Sequence, residues 1–417
     1  MSADRKPALR LRVTNVAEQV ARKGHPWIFA DSVKEQNRPG DAGELAIIFD
    51  RQDRFLAVGL FDPDSPIRVR ILQVGKREPI DNAWLQKRMS DAFARREQMF
   101  DSSGKCHYYR TDPQVTTGYR CANGESDGLP GLVADRYGDT LVIKIYTTAW
   151  LPRISALIQN FDTGRSKFCT MVLRLSRNIR DAAKERFGFH DGQLLQGVPH
   201  DGPVLFLENG LRFESDPWRG QKTGFFLDQR DNRHAVRQMA AGRSVLNLFS
   251  FSGGFSLAAA AGGATGAVSL DISEHALAAA QRNFALNAAD EKVGVCQHET
   301  IRADAFEWLQ QKPERKFDIV VVDPPSLARR ESERPQALEA YARLIAGAIR
   351  RLHPGGLLVA CSCSAHVKKQ EFFDLANETA QKSGRPHEEL QTTSHAPDHA
   401  ATFAEGEYLK AIYLRIG

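Results

Sequence analysis

The chain has few cysteines, no pattern in their spacing, and no apolar run long enough to cross a bilayer without interruption. Six cysteines occur in 417 residues, at positions 106, 121, 169, 296, 361 and 363. Irregular spacing gives no disulfide framework, so a reducing, cytoplasmic compartment is expected. The opening residues, Met1-Ser2-Ala3-Asp4-Arg5-Lys6, are not followed by the apolar core of a secretory signal. No charged residue lies between Arg243 and Asp271, a length that invites a membrane reading. Glycines and serines break that stretch into an apolar run, a glycine turn and an alanine-rich run. The pattern reads as strand, loop, helix and strand, and no membrane is expected. Charge of one sign is also missing: 56 basic and 51 acidic residues leave a net +5. Such a balance permits a nucleic-acid partner without requiring one. No internal repeat or low-complexity tract is visible.

What is present is ordinary for a globular protein, with 42% hydrophobic and 26% charged residues. The length calls for two or three domains. Short β-forming runs at 45–49, 55–60 and 67–72, separated by turn residues, predict a small β-barrel over residues 1–76, of the size used for RNA binding. A helix over 81–100, strands at 119–122, 132–135 and 140–146, a helix over 150–161 and a strand at 170–174 predict a small α+β unit over 77–200. Asn209-Gly210 marks the turn of a hairpin over 204–215. From Asp228 onward strand and helix alternate, which predicts a parallel, doubly wound α/β domain over 201–417.

That last domain carries an ordered set of short segments. Residues 245–249 read as a buried strand that runs into Ser252-Gly253-Gly254, and a small-residue helix follows. Glycine lets backbone approach a ligand, and the N–H groups at the start of a helix suit a carboxylate. The turn is not the G-x-G-x-x-G of dinucleotide folds, which argues against a pyrophosphate-bearing cofactor. Asp271 ends the next predicted strand, where ribose hydroxyls could donate to it; its bland alternative is a cap on a helix over 273–284. Asp304 follows the third strand and could accept from an adenine amino group. Asp323-Pro324-Pro325-Ser326 sits at the carboxyl end of the fourth, where ligands of open α/β sheets bind. The set reads as an S-adenosylmethionine-dependent methyltransferase.

The fifth strand runs into Cys361-Ser362-Cys363-Ser364. Strand alternation puts both thiols on one side, with Cys363 nearer the pocket and Cys361 in the core. Zinc on His353, Cys361, Cys363 and His366 is disfavoured, because C-x-C inside a parallel strand cannot easily wrap a tetrahedral ion. No metal is expected.

The whole chain resembles the bacterial 23S ribosomal RNA large-subunit methyltransferases, which join a PUA domain to a class I methyltransferase domain, and most resembles the member that makes 5-methylcytidine. Gly24-His25-Pro26-Trp27-Ile28-Phe29 is similar to the PUA opening, and Gly124-Glu125-Ser126-Asp127-Gly128-Leu129-Pro130-Gly131 to a central signature. The segment from Gly220 to Arg230, the loop from Asn247 to Phe255, Ser362-Cys363-Ser364 and Glu405-Gly406-Glu407-Tyr408-Leu409-Lys410 are similar to further family motifs. Ala400 and Ala404 stand where the family has proline. The resemblance implies a Rossmann-like class I domain after a β-barrel PUA domain and a small α+β domain. It implies S-adenosylmethionine held by Gln221, Thr223, Asp228, Arg230, Asn247, Phe249, Ser252, Gly253, Gly254, Asp271, Ile272, Asp304, Ala305 and Asp323. It further implies Cys363 as nucleophile toward carbon 6 of cytosine, with Asp323 binding the base edge. The expected partner is 23S rRNA or a large-subunit precursor, with a homodimer left open. Two rivals stand beside this reading: methylation of a purine nitrogen or exocyclic amine, and a silent RNA-binding protein on the same scaffold.

Overall fold

A computed structural model describes residues 6–100, 115–162, 168–198, 202–220 and 222–417. The chain divides into two compact units, one of residues 1–206 and 215–225, the other of residues 207–214 and 226–417.

The first unit opens with a six-stranded sheet built from Leu9–Val13, Trp27–Phe29, Val33–Gln36, Leu45–Phe49, Phe55–Phe61 and Ile67–Val74. Along Leu9–Val13 the leucines and Val13 are buried while Arg10 and Arg12 are not, the alternation of a sheet with one covered face. These residues pack with Ile48, Leu56 and Val69 into a separate core. A second, five-stranded sheet follows: Gly118–Asn123, Leu132–Tyr137, Thr140–Ile145, Thr170–Leu175 and Gln193–Gln196, neighbours in chain order. Helix Asn82–Met99 covers it through Leu85, Met89 and Ala92. The helix predicted over 150–161 starts later, at Ile154. Pro152 has no N–H to give, and the chain makes a 3-10 turn over Thr148–Arg153 first. Helix Arg180–Phe187 and strand Gln193–Gln196 went unread because neither carries a clear apolar period.

The second unit is built on a seven-stranded sheet: β1 Ser244–Leu248, β2 Gly266–Asp271, β3 Gln297–Arg302, β4 Phe317–Val322, β5 Leu352–Ser362, β6 His387–Thr393 and β7 Lys410–Ile416. The spatial order is 3-2-1-4-5-7-6. Strands β1 to β5 are parallel, and β7 runs antiparallel between β5 and β6. Order reverses between β1 and β4, and that reversal opens a crevice beyond the carboxyl ends of the central strands. Leu246, Leu248, Val320, Val322, Leu358 and Ala360 pack against Tyr341, Leu344 and Phe372 of the covering helices. This burial on both faces explains why the central strands read as continuous apolar runs.

The boundary expected at residue 201 is not a clean cut. Thr223, read from sequence as part of the last domain, belongs to the first unit. Its hydroxyl donates to Asp135 at 2.7 Å and lies 2.9 Å from the hydroxyl of Tyr137.

Candidate active site

The loop after β1 is held in an unusual backbone shape. Phe249 and Phe251 adopt φ of 57° and 46°, and Gly253 a φ of 75°. A β-carbon on Gly253 would lie 2.8 Å from the β-carbon of Ala280. This glycine is therefore required by its left-handed conformation and by close packing on helix Glu274–Leu286, beside the role at a ligand expected from the sequence. Gly254 then begins helix Gly254–Ala261.

Three buried polar groups, one at the end of β1 and two in this loop, are unsatisfied among the described residues: Asn247 Oδ1, Ser250 Oγ and Ser252 Oγ. Asn247 spends its amide N–H on Ser256 at 3.0 Å, which leaves the carbonyl as an acceptor. An unpaired buried polar group costs about 1–3 kcal/mol, so such a cluster suits a polar ligand. Asp271 at the end of β2 accepts from the backbone N–H of Phe251 and of Ser273, both at 2.9 Å. It thus ties the glycine loop to β2. Helix Glu274–Leu286 is capped by Ser273, which removes the alternative of Asp271 as its cap. Ile272, next in the chain, is 66% exposed, an apolar surface that can cover a flat ring.

Asp304 is the N-cap of helix Ala305–Gln310, where its Oδ1 accepts from the N–H of Phe306 and Glu307, and Ala305 behind it is buried. Phe249 meets Phe306 edge to face, with ring centroids 6.1 Å apart. Thus β1, β2 and β3 end in one strip of groups. The residues present fit the chemistry of S-adenosylmethionine: unpaired acceptors at Asn247, Ser250 and Ser252, helix N–H groups, the carboxylates of Asp271 and Asp304 at strand ends, and the exposed apolar Ile272.

Other sequence-predicted residues are placed differently. Gln221 lies outside the described residues. Arg230 is 2% exposed and holds Asp398 with two hydrogen bonds, of 3.0 and 2.7 Å, so its guanidinium is committed to a buried carboxylate. The pairing drives Asp398 well below the usual carboxylate range. Asp228 accepts from the hydroxyl of Tyr408 at 2.8 Å.

The second cluster lies beyond β4 and β5. Cys361 is buried within β5, and burial pushes its thiol well above the ordinary value. Strand β5 ends at Ser362, so Cys363 stands in the loop, half-buried, with its Sγ 3.7 Å from the carbonyl oxygen of Pro324. The thiol rests against the Asp323-Pro324-Pro325-Ser326 loop. Asp323 accepts from Gln229 Nε2 at 2.9 Å. Ser364 organises the same loop: its hydroxyl oxygen accepts from the N–H of Leu327 and Ala328 and lies 3.2 Å from Ser326 Oγ and 3.0 Å from the hydroxyl of Tyr341. Tyr341 also receives a bond from Ser362 at 2.9 Å.

Sequence reasoning missed Gln229, Tyr341 and Lys410 as parts of this cluster. One signal was available for the last: a lysine inside the apolar run Leu409-Lys410-Ala411-Ile412. Among the described residues no group of three or more histidine, cysteine or acidic side chains could hold a metal ion, and no helix is long and apolar enough to cross a membrane.

Residues 190–415 match the family model of the S-adenosylmethionine-dependent methyltransferases, and residues 11–73 match a PUA-like domain. The chain is 51% identical over 412 residues to a ribosomal RNA large subunit methyltransferase of Deinococcus radiodurans, covering 98% of each. It is 33% identical to ribosomal RNA large subunit methyltransferase I of an Enterobacter species, over 98% of this chain and all of that one. A solved structure of a candidate SAM-dependent methyltransferase from Streptococcus mutans superposes with a TM-score of 0.78 at 22% identity, covering 97% of this chain and 99% of that one.

Proposed function

The chain belongs to the S-adenosylmethionine-dependent methyltransferases, in the family of the ribosomal RNA large subunit methyltransferases, and from that premise we propose that it makes 5-methylcytidine in 23S rRNA through a thiolate adduct of Cys363. The observation that carries this reading is the 3.7 Å contact of Cys363 Sγ with Pro324, which seats the thiol on the loop that follows β4. The RNA substrate is extended from the relatives' names, and it puts the protein in the cytoplasm with the ribosomes it modifies.

Carbon 5 of cytosine is a weak nucleophile. Cys363 gives its proton to water, and the thiolate forms an S–C bond to carbon 6, so electron density moves onto carbon 5. Asp323, oriented by Gln229, accepts from the amino edge of the base and fixes the ring against the Pro324-Pro325 backbone. Bound S-adenosylmethionine, held by Gly253, Asp271 and Asp304, would supply an electrophilic sulfonium methyl to carbon 5, its S–CH3 bond breaking to leave S-adenosylhomocysteine. A base then takes the proton from carbon 5, the S–C bond breaks, and Cys363 leaves as thiolate. Ser326, bonded to Ala328 and Ser364, lines the loop without an aromatic face, which disfavours a site that stacks on a purine.

Nucleoside mass spectrometry of 23S rRNA incubated with the protein and a labelled methyl donor tests the reading. Label in 5-methylcytidine is the expected result; label in a purine or an exocyclic amine would replace it, and no label would favour a silent binding protein.

A further inference from the structure

A lysine buried behind the loop of the thiol has no catalytic duty in the scheme above. We propose that Lys410 is a positioning residue for Cys363, a buried ammonium that pins the turn carrying the thiol and favours its thiolate; this rests on the thiolate reading. Lys410 is 1% exposed and opens β7 directly across from Ser362, the last residue of β5. Its Nζ donates to the carbonyl oxygens of Ser364 and Val367, each at 2.5 Å, and of Tyr408 at 3.2 Å. An ammonium has three N–H groups, and all three go to backbone: two to the cysteine loop and one to the segment that leads into β7.

Among the described residues no carboxylate lies within ion-pair distance of Lys410. A buried charge without a counter-ion is costly, and a lysine chosen only to fill space would be replaced by leucine or methionine at little loss. A transient anion nearby gives the charge a purpose. The groups that act on it are Cys363, from the loop after β5, and Glu371, from helix Lys369–Lys382. Glu371 is committed to Arg334 at 2.5 Å. Cys363 is faced in turn by Cys361, held neutral by burial, and by Tyr341 of helix Arg334–Arg350, whose phenol burial pushes up to about 12. Asp323 is a negative charge that also acts on Tyr341, and a second negative charge there opposes a thiolate. Lys410 is the positive charge that offsets it. Burial pulls Lys410 down to about 8, and Cys363 pulls it back up. No bond to Lys410 changes in this role: the thiol proton goes to water, and the ammonium keeps its three hydrogens.

The test is the pH dependence of Cys363 alkylation by iodoacetamide on the full chain, read by peptide mass spectrometry. Lys410→Met should raise the midpoint by one pH unit or more, which cuts the thiolate at neutral pH about tenfold, and should lower kcat while affinity for S-adenosylhomocysteine holds. An unchanged midpoint would overturn the proposal and leave Lys410 a structural residue. Should Lys410→Met not fold, the reciprocal measurement decides, because coupling acts equally in both directions. In a Cys363→Ser variant the ¹³Cε resonance of Lys410 should titrate at lower pH than in the parent; an unmoved titration would overturn the proposal. Full turnover by Cys363→Ser would instead sink the thiolate reading on its own.

Discussion

Gln229 donates to Asp323, and the amide that does so is itself oriented from the far side. Asn232 donates to Gln229 Oε1 at 2.5 Å, which turns Nε2 toward the carboxylate at 2.9 Å. Asn232 is in turn fixed by hydroxyls of Thr393 and Tyr413, at 2.5 and 3.0 Å from its Oδ1. A line of donors therefore runs from β7 to Asp323, the acid proposed to bind the base. Gln229→Leu should leave the fold intact and lower kcat by ~10- to 150-fold, since a hydrogen bond to a charged group is worth about 1.5–3 kcal/mol. Steady-state kinetics that show only a raised KM would make the line a structural feature.

Asp271 joins the glycine loop to β2 through two backbone N–H groups. With Ala in its place those donors lose their acceptor, and so does the ribose in the proposed site. Asp271→Ala should weaken S-adenosylmethionine binding by roughly 1.5–3 kcal/mol, or ~10- to 150-fold. Calorimetry with unchanged affinity would take Asp271 out of the cofactor site.

The Arg230–Asp398 pair predicts a stability effect. Both side chains are buried, and removing one leaves the other charge unpaired at a cost of about 3–5 kcal/mol. Arg230→Met should lose that much in urea unfolding, and adding Asp398→Leu should recover most of it. If the single variant unfolds normally but binds cofactor poorly, Arg230 acts on the ligand.

His298 makes stability fall in mild acid. It stacks on Phe284 with ring centroids 3.6 Å apart, its Nε2 lies 2.9 Å from Ser269 Oγ, and burial lowers it from 6.5 to about 4. Between those two pH values the unfolded chain is protonated at this ring and the folded one is not. The contribution is therefore complete above about pH 6.5 and is lost as pH falls toward 4, at most ~2 kcal/mol by pH 5 given partial exposure. His298→Gln should lose less stability than the parent between pH 7 and pH 5. Equal losses would remove His298 as a cause.

The alternating sheet was legible because its order is local. Strands β1, β2, β4 and β5 each contain a short apolar run close to a glycine, proline or acid, a pattern that needs no distant partner to be read, whereas β3, Gln297–Arg302, is polar and was placed only by the acid that follows it. The cysteine and the Asp323 loop were legible for the same reason, as ends of readable strands. What escaped depends on residues far apart in sequence. Thr223 meets Asp135 across 88 positions, Arg230 meets Asp398 across 168, and Lys410 meets Ser364 across 46. A buried arginine and a ligand-binding one look alike until the counter-ion is seen. Gly253 carries a second reason that the sequence hid: the side chain that forbids a β-carbon there is Ala280, one helix away.

Cys363 and Cys361 separate the chemistry from the packing. Both were expected on one side of a strand, but β5 stops at Ser362, so only Cys361 is held in the ladder, opposite Ala411. Burial keeps the Cys361 thiol protonated, and Cys361→Ala should cost on the order of 1 kcal/mol of stability and retain turnover. Cys363 is half-buried against Pro324, the position from which the proposed thiolate would attack. Cys363→Ala should lower methyl transfer by at least ~10⁴-fold, or ~5.4 kcal/mol at ~1.36 kcal/mol per decade, and leave cofactor affinity intact. RNA with 5-fluorocytidine at the target should trap the parent protein as a covalent adduct, because a base cannot remove fluorine as it removes the proton from carbon 5. The same RNA should not trap Cys363→Ala. Near-normal activity of that variant, or methylation without any adduct, would rule out the thiolate and leave the purine or amine chemistry in its place.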